Sequence, residues 1–377
     1  MEPILETHVP YDRIWTDRIW TVMSYRHVLS VLSCFKISEK YFGSFPKFVI
    51  RHAERRCAMG LPRYKYVKKG EEGVYHNWSK VVRRACLFGY DPVTKRDYSY
   101  RKKWIVEHLK FLASIFAIDV CAFAVMINHL HTILRTLPSL ADNWSDYEVA
   151  SRWVRLHPNK SIHPDIQIQG LLQSPDLIQE IRLKLSDLSV FMKEFNEYIA
   201  RRANKEDEMT GAFFDGRFRS KALVDVPAIT CCMVYVDLNP LRAGVAPTPE
   251  DSDSTSIQER IQSWKEHMTD LYNELWLCPI QSTPTRRGIL DITEKEYLEL
   301  VDRTGRMIRA DKPGYIDPDL PPILSRIGVI PKAWDKTIEQ FDRFRVAAGT
   351  VSSLTKFASR LGQKWVKGIS LAKTAFI

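Results

Sequence analysis

Apolar positions recur along the chain with two periods, and the switches between them mark out its elements. "VYHNWSKVV" (74–82) alternates and predicts a strand. "YRKKWIVEHLKFLASIF" then places Ile105, Leu109, Leu112 and Phe116 at helical spacing, and "VMINHLHTIL" (125–134) is an apolar run of strand character. A β-α-β beginning is expected. Clusters of Pro, Asn, Asp and Ser over 137–175 predict an insertion with short helices. "DLIQEIRLKLSDLSVFMKEFNEYIARRAN" reads as one long helix or two, and "GAFFDGRFRSKALV" (211–224) as a strand pair or a turn into a strand. In "DVPAITCCMVYVDLNPLRAG", Asp225 suits a cap, Pro227 a first turn, and Asn239-Pro240 a stop, so a helix is expected over about 227–238.

At 100° per residue, Ile229, Cys232, Met233 and Val236 form the core stripe of that helix, with Tyr235 and Asn239 on a neighbouring flank about 40° apart. The breaks in pattern suggest three parts. Residues 1–60 read as a helical N-terminal extension, closed by the turn-rich "GLPRYKYVKKGEEG"; 61–275 as the main domain; and 276–377, entered through "LCPIQSTPTRRG", as a helix-rich basic C-terminal extension. Its last helix candidate sets Lys356, Arg360, Lys364 and Lys367 on one side and Leu354, Phe357, Leu361 and Trp365 roughly opposite. That basic side could meet phosphates or be a solvated face.

Composition narrows the class without naming the chemistry. The 377 residues are 45% hydrophobic and 27% charged, which is a folding chain rather than a disordered one. Lys plus Arg (55) exceed Asp plus Glu (45), which favours a polyanionic partner; from Arg343 onward the chain carries no acid. The seven cysteines form no C-x-x-C and sit mostly in apolar sequence, as reduced thiols of a cytoplasmic protein would. The first residues lack the basic n-region of a secretory signal, and Arg26 and His27 interrupt the apolar stretch from Trp20 to Phe35, so no membrane association is expected.

The chemistry begins with His129 and His131. On a strand, residues i and i+2 project from one face about 6.5–7 Å apart, so two imidazoles there can converge on a shared cation. In a dry core each would otherwise need its own partners. No H-E-x-x-H and no cysteine pair completes a structural zinc site, and an open site filled out by water and phosphate suits Mg²⁺ or Mn²⁺. The amide of Asn239 could be a third hard ligand, with Tyr235 one turn earlier beside it.

At these residues the chain resembles a known family. "AFAVMINHLHTILRT" looks like the metal strand of the HUH single-strand nucleases, and "VYVDLNPLRAG" is similar to the tyrosine helix of the REP-associated tyrosine transposases. "FMKEFNEYIARRAN" and "GAFFDGRFRSKALV" match that family's long helix and basic strand in order and spacing, and the resemblance covers roughly 62–265. The loop after the metal strand is longer than in relatives, and the third ligand position is taken by Asn239.

The resemblance implies a ferredoxin-like α/β (α+β) fold with an antiparallel sheet and the histidines on a central strand. It implies a transposase, a single-strand DNA endonuclease and strand transferase. Tyr235 is its nucleophile, His129, His131 and Asn239 hold Mg²⁺ or Mn²⁺, and single-stranded or hairpin DNA is the partner. Attack by Tyr235 leaves a 5′-phosphotyrosine and a free 3′-OH, and a later 3′-OH rejoins the strand with no nucleotide cofactor; relatives act as monomers or homodimers. Arg217, Phe218, Arg219 and Lys221 combine cations with an aromatic ring, as strand contacts do, and Arg242 is a further phosphate contact. Lys356, Arg360 and Lys364 are candidates from the last helix. Tyr198 reads as packing and His76 as structural. Two other readings stay open: a non-catalytic DNA-binding protein of the same fold, and a metal hydrolase with H-x-H on a barrel strand, which would need later His and Asp ligands.

Overall fold

The alternating segment at the start of the domain forms β1 (Gly73–Lys80) and pairs on both sides. The computed structural model describes residues 62–267, 276–308 and 341–375, so the helices expected over 1–60 lie outside the described residues. After β1 and a small ribbon come helix α1 (Arg101–Ile115), β2 (Ile118–Val125) and β3 (His129–Thr136). The insertion holds α2 (Pro138–Asp142), α3 (Asp146–Leu156) and α4 (Pro164–Leu172). The long helical stretch is two helices, α5 (Pro175–Lys184) and α6 (Leu188–Glu206); Asp187 caps the second through the amides of Ser189 and Val190. Then follow β4 (Arg219–Leu223) and α7 (Val226–Asp237).

The sheet order β2-β3-β1-β4, antiparallel throughout, with α1 and α6 as connections, is the β-α-β-β-α-β ferredoxin-like plan. The pleat divides this sheet into two chemically different faces. On β1, Asn77 and Ser79 point one way: Ser79 hydrogen-bonds Asn196 of α6, and Thr132 of β3 lies against Met192. The alternate set points the other way. Register places Trp78 opposite His131, Lys80 opposite His129, and Lys221 opposite His76, so all six share a face. Ala124, opposite His131, is an alanine on that face, and α7 lies over β2, β3 and β4 there.

An apolar stripe does not describe α7. Every residue from Ala228 to Asp237 is buried, because the helix is covered on its outer side as well as by the sheet. The cover comes from residues past 276, which the sequence sets apart as an extension. Helix α8 (Asn239–Arg242) follows a break at Leu238, and α9 (Ser256–His267) and α10 (Glu294–Ile308) complete this layer. Tyr297 of α10 donates to Asp237 at 2.5 Å, and Gly305 lets α10 approach closely, since a Cβ there would lie 3.2 Å from Leu238. The chain then adds a fifth strand, β5 (Ala347–Ala348), parallel to β4. Gly349 is required at that junction, where a Cβ would stand 2.5 Å from the Val224 side chain. One carboxylate joins the two pieces: Asp225 caps α7 through Ala228 N–H at 3.0 Å and accepts Thr350 N–H at 2.7 Å.

The last helix candidate is shorter than its pattern. Helix α11 (Val351–Arg360) buries Leu354 and Phe357, but Gly362 at φ +67 ends it. Lys364 and Lys367 therefore lie beyond it, and Trp365 is exposed. The chain ends in α12 (Ile369–Ala375). No helix among the described residues is long and apolar enough to cross a membrane, and the cysteines described are all free thiols.

Candidate active site

The face opposite α1 and α6 gathers the residues singled out by sequence. His129 and His131 are two apart on β3, their ring centroids 4.9 Å apart and their planes nearly perpendicular, at 86°. Tyr235, in the last turn of α7, sets its ring 6.1 Å from that of His131 and nearly perpendicular to it. Arg242, one helix further, holds its guanidinium carbon 4.7 Å from the Tyr235 ring centroid. A phenol ring thus has one imidazole of the pair on one side and a guanidinium within 4.7 Å of its centroid.

Each imidazole of the pair has its Nδ1 in a hydrogen bond. Nδ1 of His129 lies 2.7 Å from Oδ1 of Asn128, an acceptor, so the ring carries its hydrogen there and its lone pair on Nε2. Nδ1 of His131 lies 2.9 Å from Nε2 of His76, on the neighbouring strand. Burial holds His131 well below the usual imidazole pKa, helped by the nearby His76, His129, Lys80 and Lys221; His76 is lowered in the same way by burial and Lys221. Both rings are neutral at physiological pH, the form that can offer a lone pair.

A donor set with both Nδ1 atoms tied to backing partners matches the way metal-binding histidines are held. Asn239, at the start of α8, has a buried Nδ2 with no hydrogen-bond partner among the described residues. Among the described residues there is no group of three or more His, Cys, Asp or Glu side chains able to hold a metal ion. Two imidazoles are too few donors for a closed structural site, and a cation held there would have to be completed by solvent or phosphate.

The other candidates are distributed unevenly. Arg217 and Arg219 are exposed, Arg219 opposite Trp78 at the rim of the histidine face. Lys221 and Phe218 are turned inward. Lys221 is 1% exposed, donates to the carbonyl of Phe341 at 3.1 Å and lies over the Phe341 ring. Phe218 is covered by the Arg63 guanidinium, which also donates to the Phe218 carbonyl. Lys356, Arg360 and Lys364 are exposed on and just past α11, where Arg360 pairs with Glu71 at 3.4 Å. Tyr198 is on α6, across the sheet, stacked on His108 at 3.7 Å and bonded to Arg202.

Sequence reasoning missed two participants. His76 belongs to the site because β1 is paired with β3 in the register that brings it to His131. Its signal was the alternation of His76, Trp78 and Lys80 in one strand, but only the register says what they face. Phe341 packs on Tyr235 at 5.4 Å from over a hundred residues away, and nothing local announces it.

No protein-family model and no curated protein matches the chain. Among solved structures it is similar to a REP-associated tyrosine transposase bound to a REP hairpin, at 13% identity over 60% of this chain and 96% of that one, with a TM-score of 0.30. At that level of overlap the likeness carries no weight; the fold stands on its topology and the site on its contacts.

Proposed function

We propose that the protein cleaves and rejoins single-stranded or hairpin DNA, with Tyr235 as nucleophile, in the manner of a tyrosine transposase. The observation that carries this reading is the placement of Tyr235 against the His129/His131 face with Arg242 beside its ring. A free tyrosine has a pKa near 10 and is a weak nucleophile until positive charge stabilises its phenolate. Arg242 is such a charge, and it can also hold a non-bridging oxygen of the phosphate under attack.

In the reaction, Oη of Tyr235 forms a bond to phosphorus, the P–O3′ bond breaks, and the departing 3′ oxygen takes up a proton. The 5′-phosphotyrosine keeps the phosphodiester energy, so attack by a 3′-OH reverses the step and seals a strand. Mg²⁺ or Mn²⁺ held by His129, His131 and Asn239 would supply Lewis-acid polarisation of the scissile phosphate. Arg217 and Arg219 at the rim would guide the backbone by charge.

The test is an SDS-resistant adduct between the full-length protein and a labelled hairpin oligonucleotide in Mn²⁺. It should form with the wild type and vanish in Tyr235→Phe, while hairpin binding persists; an adduct that survives the substitution removes Tyr235 from the role.

One observation favours a second reading, a DNA-binding protein without catalysis. Tyr235 is only 6% exposed, with Phe341 among the groups packed on its ring, so the enclosure must open before a strand can reach it. Hairpin binding with no adduct in any divalent cation would select this alternative.

A further inference from the structure

His76 is 1% exposed, and one of its ring nitrogens, Nδ1, has no hydrogen-bond partner among the described residues; the other, Nε2, lies 2.9 Å from Nδ1 of His131. One hydrogen sits between the two rings, and its location sets what His131 can do. If it is on His76, then His131 carries its own hydrogen at Nε2 and cannot ligate through that atom. If it is on Nδ1 of His131, the lone pair is on Nε2. His76 then carries its hydrogen on Nδ1, a donor with no acceptor, near the Trp78 ring at 5.2 Å and the Phe341 ring at 6.4 Å. Leaving such a donor unpaired is costly, and a cation on His131 would have to offset that cost.

We infer that His76 is a positioning residue of the candidate site: it accepts the Nδ1 hydrogen of His131 and so fixes the tautomer and ring plane in which His131 presents Nε2 to a cation. The inference rests on the proposed reading of His129 and His131 as cation ligands. The arrangement repeats, with a second imidazole, what Asn128 does for His129. The two rings lie side by side with centroids 5.1 Å apart and planes only 22° apart, as an in-plane hydrogen bond between them requires.

The experiment measures Mn²⁺ binding to the full chain by electron paramagnetic resonance of free Mn²⁺, with hairpin binding in chelator as a control on folding. His76→Phe should weaken Mn²⁺ binding about ten- to a hundred-fold and leave hairpin binding intact, as loss of an outer partner does. His76→Gln, whose amide oxygen can accept the same hydrogen, should recover most of the loss. Should His76→Phe not fold, ¹⁵N NMR of the wild-type imidazoles with Zn²⁺ as a diamagnetic probe reads the tautomer directly, and Nδ1 of His131 should be the protonated nitrogen. Wild-type affinity in His76→Phe, or a hydrogen on Nε2 of His131 in the Zn²⁺-loaded protein, overturns the inference and leaves the cation site standing. A wild type that binds no Mn²⁺, and is indistinguishable from His131→Ala, overturns the cation site and the role of His76 together.

Discussion

At the scale of single residues, burial and local hydrogen bonds set the protonation states of the side chains around the site. Burial keeps the His131 ring neutral, Asn128 accepts the Nδ1 hydrogen of His129, and His76 is the proposed acceptor for that of His131. His129→Ala should lower adduct formation by about 10²-fold or more, since it removes half of the imidazole set around the phosphate. The adduct assay checks this, with unchanged hairpin binding as the control. Asp237 shows the same principle away from the reacting atoms. Fully buried, it is pushed up to about 6 by desolvation, against the hydrogen bonds from Ser256 and Tyr297 that favour its charged form. The native state then binds a proton between about pH 4 and pH 6 that the unfolded chain does not, so this group's contribution falls as pH rises through that window. Its size is at most about 3 kcal/mol, on the order of 1.4 kcal/mol per pKa unit. Urea titrations across that range should show the loss in wild type and not in Asp237→Asn, and identical slopes would contradict the assignment.

At the scale of elements, periodicity reads well wherever one face meets the core and the other meets water. The strand at 74–82, the helix after Tyr100 and the helix after Asp225 lie within a residue or two of their patterns. It fails on α7, whose outer face looks free in sequence and is covered by α10 and the segment at Phe341. It fails again on α11, where the apolar and basic sides run on past Gly362 although the helix cannot. Of the candidate site, the histidine pair and Tyr235 were legible because strand and helix spacing are local properties. His76 was not, because its role depends on strand register, and Lys221 and Phe218 look like strand contacts by type alone. The closeness of α7 to the sheet has its own requirement: Ala124, opposite His131 and fully buried, presents only a methyl group to that face. Ala124→Leu should overpack the layer and cost about 1–3 kcal/mol in denaturant unfolding, with cleavage lost as Tyr235 is displaced.

At the scale of the whole molecule, a ferredoxin-like sheet with helices on one face has been given a second layer on the other. Residues 276–308 and 341–375 build much of that layer, bury α7 and bring Phe341 onto Tyr235. This positions the phenol but restricts its access. Phe341→Ala keeps the carbonyl that Lys221 uses and removes the ring on Tyr235, so the rate of adduct formation should rise several-fold with Mn²⁺ affinity unchanged. A fall in rate would show that the ring orients the phenol rather than screens it. Peptide mass spectrometry on the protein recovered from a hairpin reaction in Mn²⁺ identifies the nucleophile. A nucleotide whose 5′-phosphate is esterified to Oη of Tyr235 is the expected product. A nucleotide on any other side chain, with Tyr235 unmodified, would contradict the assignment of Tyr235.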